Sequence, residues 1–258
     1  MARKASGKSW DAYAKRQRRQ RKNAYEEMFG FVLGAFAGGI RRAVLYKRAL
    51  DIATRNGAAS AALACEWYDA MARESRAKVP RAAPVVVANL GRIRAQVENA
   101  AHLADIGDAE GFANACGTAV MGEVKRSASD TMLANAKRDG AEFAWIPQGD
   151  ETCSFCTTLA SNGWVRARQS TAYGDHADHI HPNCDCEFAI RFGGQGGVEG
   201  YDPQKYLDEY NAAPGISSRD KINAMRRERY ANDDAYREKV LWQQRERYAA
   251  THPHEDGE

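Results

Sequence analysis

Cysteine spacing constrains this chain more than any other feature. Four of its six cysteines fall between residues 142 and 192, as Cys153-x2-Cys156, then 24 residues, then His181-x2-Cys184-x-Cys186. Two ligand-bearing turns joined by a loop of that length suit a tetrahedral zinc ion, whose preferred donors are thiolate and imidazole. Cys153, Cys156 and His181 are expected as ligands, with Cys184 or Cys186 as the fourth. In extended chain residues 184 and 186 share a face, so both are geometrically admissible and His181 then moves to the outer shell. His176 and His179 read as polar loop residues or neighbours of the ligands.

Four protein donors leave no coordination position for water, so the expected ion is structural. The His-x-Glu of zinc deaminases and the His-Glu-x2-His of zincins are absent from the sequence. No Ser/His/Asp or paired-carboxylate spacing stands out, and the chain reads as a non-enzyme. The alternative is a zinc-supported nuclease or toxin acting on nucleic acid, for which Asp175 and Asp178 lie near the histidines. A pair of redox thiols would require a strand-to-helix junction in a βαβ unit, which the sequence does not suggest. Cys65 and Cys116 stand alone in Ala-rich sequence and read as small buried apolar residues.

The rest of the chain reads as mainly α: long N-terminal helices, a small β-containing zinc module, and a C-terminal helix. No proline occurs before Pro80, and apolar residues recur at helical spacing through Tyr46, Ala49, Leu50 and Ala53, then Leu63, Trp67, Ala70 and Met71. Asn56-Gly57 is expected to break that run into two helices. Residues 79–84 form a linker, 85–104 a third helix and 109–139 a fourth, ended by Asp139-Gly140. Strands are expected at 142–146, 163–166 and 186–191. A Gly-rich joint and short helix fill 193–216. Ser217 or Ser218 caps a single helix to about residue 249, and the module of 142–192 follows a helical domain of 23–141.

The net charge of +3 is small but uneven: residues 1–22 carry nine Lys/Arg against one Asp. This predicts a basic arm whose Lys15, Arg16, Arg18, Arg19, Arg21 and Lys22 contact nucleic acid or an acidic partner. Residues 28–40 mimic a signal peptide, but Glu26, Glu27 and Arg41-Arg42 flank them, and they are too short to span a bilayer. They are expected instead to be a buried, glycine-rich turn of helix where another segment packs closely. No membrane partner is expected.

At the cysteine cluster a resemblance appears. The runs FAWIPQGDETCSFCTTLASNGWV, HPNCDCEF and VEGYDPQKYLDEY resemble the Mu-F-like minor capsid, or head morphogenesis, proteins of tailed bacteriophages, nearest the branch found in actinobacterial phages. The resemblance covers roughly residues 25–212, with its specific motifs in 143–210. It implies a structural virion protein that is assembled in the host cytoplasm, enters the head in few copies, and associates with the portal protein, the major capsid protein or packaged DNA. Some relatives carry a fused protease or toxin domain, for which this chain shows no extension. Cys153, Cys156, His181, Cys184 and Cys186 match the family signature. Asp185 stands where many relatives have Arg, which speaks against that turn as a basic contact.

Overall fold

The computed structural model describes residues 7–86, 88–148, 152–168, 186–194 and 196–251. Three long helices make the body: α1 (Gly7–Phe36), α2 (Arg42–Glu74) and α5 (Ala109–Asp139). Between them lie α3 (Leu90–Asn99) and α4 (Ala101–Asp105). Then come β1 (Glu142–Ile146), α6 (Ser154–Ser161), β2 (Val165–Arg166) and β3 (Glu187–Arg191). The C-terminal region holds helices α7 (Pro203–Ala212), α8 (Ser218–Asn232) and α9 (Asp234–Thr251).

The expected basic arm is the first half of α1. Trp10, Tyr13, Ala14, Gln17, Arg21, Ala24, Met28 and Val32 are all buried, and their spacing of three and four residues makes one continuous stripe. A helix with such a stripe has no reason to stop at residue 22. Trp10, Tyr13 and Trp67 of α2 form an aromatic trio with centroids 5.0–5.5 Å apart. The glycines of the signal-like stretch do not mark close packing, since a Cβ on Gly30 or Gly34 would meet nothing within 4 Å.

Close packing occurs at two other glycines. α2 runs through Asn56-Gly57 without a break because Gly57 is a crossing point: a Cβ there would lie 2.6 Å from Ser127 Oγ on α5. Gly117 of α5 likewise admits Tyr25 of α1, whose ring would sit 2.7 Å from an added Cβ. These contacts pull both outer helices onto α5, which is buried round most of its circumference.

The expected third helix starts late, because the chain before it is tied to α5 through Ala83, Val85 and Asn89. Asn135 bonds both backbone groups of Ala83 at 2.8–3.0 Å, Thr131 Oγ1 accepts from Val85 N–H at 2.9 Å, and Glu123 accepts from Asn89 N–H at 2.8 Å. Glu123, Thr131 and Asn135 recur at multiples of four and line one side of α5. Backbone groups that would otherwise be buried unpaired gain side-chain partners. Asn89 then caps α3, accepting from Arg92 N–H at 3.1 Å. At the other end of α5, Gly140 takes the left-handed conformation (φ 64°) that closes the helix.

The sheet has the order β2-β1-β3, both pairings antiparallel, with Phe143 opposite Ile190 and Trp145 opposite Phe188. Its apolar residues join Trp10, Trp67, Tyr68 and Met132 in one core, while a second core lies at the far end of the body among Met28, Leu45, Ile93, Phe112 and Val120. The expected boundary at residue 142 is therefore crossed by a shared core. The expected single C-terminal helix is two, interrupted at Asp233. Its carboxylate accepts from Tyr236 N–H at 2.9 Å, so it caps α9 while also pairing with Arg229 of α8 at 3.1 Å. Ser217 and Asp220 form a reciprocal capping box on α8.

Candidate functional site

The site is built on the junction between β1 and α6. The chain leaves the sheet at Pro147 and re-enters regular structure at Cys153, which is extended (φ −72°, ψ 154°) and caps α6. Its sulfur accepts from the backbone N–H of Cys156 at 3.4 Å. The cap and the third helical position face the same side, as in a capping box. A two-residue spacer thus presents both sulfurs from one turn. The sequence predicts a tight turn here, and the helix α6 that the turn opens is an addition to it.

Cys186 immediately precedes β3. It and Cys156 are fully buried in the shared core, and Cys153 packs against the same cluster. Nearby, Tyr201 donates its hydroxyl hydrogen to Ala160 O at 2.9 Å. Burial raises the Tyr201 phenol well above its ordinary pKa, with Tyr206 and Cys186 acting in the same direction. Trp164 packs edge-on to Tyr201 and under the Arg191 guanidinium, 4.8 Å from the ring centre. Gly197 (φ 120°) allows Trp164 close approach, 3.1 Å from where a Cβ would stand.

The donors in view are two thiols on one helix turn and a third just before β3 in the same core, a residue type that soft ions prefer. His181 and Cys184 lie outside the described residues, as do His176, His179, Asp175 and Asp178. Among the described residues no group of three or more His, Cys, Asp or Glu side chains is gathered as a metal site. The junction does place a Cys-x2-Cys between a strand and a helix, which the sequence did not suggest. The sheet around it is antiparallel, however, so among the described residues the parallel βαβ unit of a thioredoxin-type site is not formed.

The predicted cationic contacts separate into two groups. Arg21 is in the core, where it pairs with Glu187 of β3 at 2.5 Å, the two side chains being 7% and 3% exposed. Lys15, Arg16, Arg18, Arg19 and Lys22 are exposed. Arg16 reaches Glu66 at 2.9 Å and Lys22 reaches Glu26 at 3.4 Å. Lys15, Arg18, Arg19 and Lys22 occupy positions i, i+3, i+4 and i+7 of α1, one outward face of a rigid helix.

A cleft of about 970 Å³ opens beside Cys153, between α6, α7 and the α8–α9 pair, and is lined by Phe155, Glu209, Met225, Arg226 and Tyr236 among others. No helix among the described residues is long and apolar enough to cross a membrane.

The profile of the VG15 protein family matches residues 4–213. No curated protein matches the chain significantly, and no solved structure does. The family match covers all the elements from α1 to α7. It takes in well over half of the sequence, and the chain therefore belongs to the VG15 protein family, a viral (phage) family.

Proposed function

We propose that this phage protein is a minor component of the virion head, acting in head assembly with the portal protein, the major capsid protein or packaged DNA. The observation that carries the reading is the family match over 4–213, together with the Mu-F-like signature of Cys153, Cys156, His181, Cys184 and Cys186 inside it. Four of those five residues would hold a structural zinc ion. When bound, the ion supplies a cross-link between the start of α6 and the start of β3. A three-stranded sheet with a two-residue edge strand has little core of its own and gains cohesion from such a staple. With four protein donors the metal has no open position, and the proposed role is structural, without catalysis.

The exposed stripe of Lys15, Arg18, Arg19 and Lys22 on α1 is the proposed contact with packaged DNA. It is a fixed rail of charge on a packed helix, and the contact is with phosphates, which carry no sequence information.

The test is the protein's copy number in purified heads, measured by quantitative mass spectrometry against portal and major capsid protein. A low and reproducible number is expected. Absence from both procapsids and mature heads would overturn the reading.

A further inference from the structure

The last two helices lie outside the family match, which ends at residue 213, and they bury little of their surface. Only Ala224 and Met225 of α8 are buried, and every α9 residue assigned an exposure from 234 to 248 is half-buried or exposed. The one substantial packing partner of α9 among the described elements is α8. An 18-residue helix with one neighbour carries apolar surface that needs a further cover, since tertiary packing supplies most helical stability in water.

That surface has a definite shape. A groove of about 420 Å³ runs between the two helices, with Tyr230, Tyr236 and Val240 as its apolar floor and Arg226 and Arg227 on its rim. Tyr236, Val240 and Gln244 repeat every four residues along α9, so the floor follows the helix axis. Tyr236 is held by the Arg229 guanidinium, 4.5 Å from its ring centre. Arg226 and Arg227 are exposed, with no carboxylate partner among the described residues. Trp242 stands beyond the groove with 61% of its surface exposed.

We infer that this groove docks one helix of another protein, amphipathic and net acidic, completing a three-helix bundle on α8 and α9. A groove parallel to two helices, floored by side chains at four-residue spacing, matches the way a third helix inserts its ridge. The two unpaired arginines select acidic flanks on that helix. A second copy of this chain fits poorly, because residues 218–251 carry nine Lys/Arg against six Asp/Glu and would meet like charge. Nucleic acid fits poorly because Glu228, Asp233, Asp234 and Glu238 are interleaved with the cations.

The inference rests on the head-assembly reading only for where the partner is sought. The full chain, carrying the photo-crosslinker benzoylphenylalanine in place of Val240, is produced in infected host cells, and its crosslinks are read by peptide mass spectrometry. A second preparation carries the crosslinker in place of Trp242, and a control carries it in place of the exposed Asp51 of α2. The expected product joins position 240 or 242 to a different polypeptide, in a net acidic segment with apolar residues at three- and four-residue spacing. Arg226→Glu with Arg227→Glu should lower its yield about tenfold while circular dichroism is unchanged. Crosslinks to a second copy, to nucleic acid or to a basic segment would overturn the inference. So would a yield no higher than at Asp51, or one indifferent to the charge reversal. If the protein is present in heads and position 240 captures nothing, the docking inference fails and the assembly reading stands.

Discussion

Arg21 of α1 and Glu187 of β3 form an ion pair 2.5 Å long inside the core, and Glu187 directly follows Cys186. The pair ties the first helix of the body to the strand that follows a candidate metal ligand. Burial also raises the Tyr13 phenol, and the Glu187 carboxylate adds to that rise, which places this tyrosine in the same polar pocket. Removing one partner strands the other charge out of water. Arg21→Ala or Glu187→Ala is therefore expected to cost about 3–5 kcal/mol. Arg21→Met combined with Glu187→Leu should recover most of that loss, within about 2 kcal/mol of the natural protein. Denaturant unfolding of the three variants is the measurement. A double variant as unstable as the singles would mean that the pair fixes geometry which apolar packing cannot replace.

Gly57 and Ser127 give a second test. Ala is favoured over Gly inside a helix by about 1 kcal/mol, so propensity alone makes Gly57→Ala stabilising. The crossing reverses the sign: the new Cβ would sit 2.6 Å from Ser127 Oγ, and overpacking of this kind costs about 1–3 kcal/mol. Gly57→Ala should lower stability, and adding Ser127→Ala should restore it. The hydroxyl it removes makes only an intrahelical bond to Glu123 O, and the remaining Cβ would be 3.4 Å away. A stabilised Gly57→Ala single variant would show that the helices yield at this crossing.

These two positions also show what the sequence conceals. The ends of α5 are legible because their signals are local: Asp108 accepts from Gly111 N–H at 2.8 Å, and Gly140 takes the left-handed conformation. β1 is legible as a short run with aromatic and branched apolar residues, Phe143, Trp145 and Ile146, stopped by Pro147. Gly57 is not, because glycine marks both a break and a close approach, and the deciding residue, Ser127, is 70 positions away. The backbone partners of Ala83 and Val85 are Asn135 and Thr131 of another helix, so they have no local signature. Arg21 looks like its exposed neighbours in sequence and is distinguished only by its place on the buried stripe with Trp10, Gln17 and Met28. At the site the Cys-x2-Cys turn is legible and its helix is not: a sulfur cap lacks the oxygen-bearing residue by which helix starts are usually recognised.

If the Cys/His cluster binds zinc, the purified full chain should hold about one ion per molecule by elemental analysis. Cys153→Ser and Cys156→Ser should each lower that content sharply, and chelator should lower the unfolding temperature of the natural protein but not of these variants. Cys65→Ser and Cys116→Ser are the controls. Burial pushes the Cys116 thiol up to about 12, with Arg42 opposing weakly. It therefore stays neutral and unreactive to alkylating reagents at pH 8, where an unfolded thiol of pKa about 8.5 is already partly ionised. Absence of metal from carefully prepared protein, with folding indifferent to chelator, would remove zinc from the proposed function.

Acid stability should depend on Asp139, at the end of α5. Burial pushes its carboxyl up, but hydrogen bonds from Arg138 and from the Tyr68 hydroxyl, the latter at 2.7 Å, outweigh it and hold the group below the usual carboxylate range. A depressed folded pKa means that the folded state favours the carboxylate. The contribution is complete above the unfolded value of about 3.9 and is lost as pH falls through the folded value. Asp139→Asn should be less stable than the natural protein at pH 7, and the gap should close as pH falls below about 4. A gap independent of pH would assign the loss to packing.

The last prediction concerns α1. Because Trp10 and Tyr13 are core residues, deleting residues 1–22 would damage the fold and say nothing about DNA. Substitution of the exposed stripe avoids that fault. Lys15→Gln, Arg18→Gln and Arg19→Gln change only outward side chains with no acidic partner among the described residues. If the four-cation face of Lys15, Arg18, Arg19 and Lys22 lies along a duplex, log K should fall linearly with log salt, with a slope of about −3 to −4. The triple variant should flatten that slope by about 3 and weaken binding alike for unrelated sequences. Thermal unfolding of the variant should match the natural protein, since exposed cations of this kind contribute little to stability. An unchanged slope would place any DNA contact elsewhere and leave the α1 stripe as a solvated helix face.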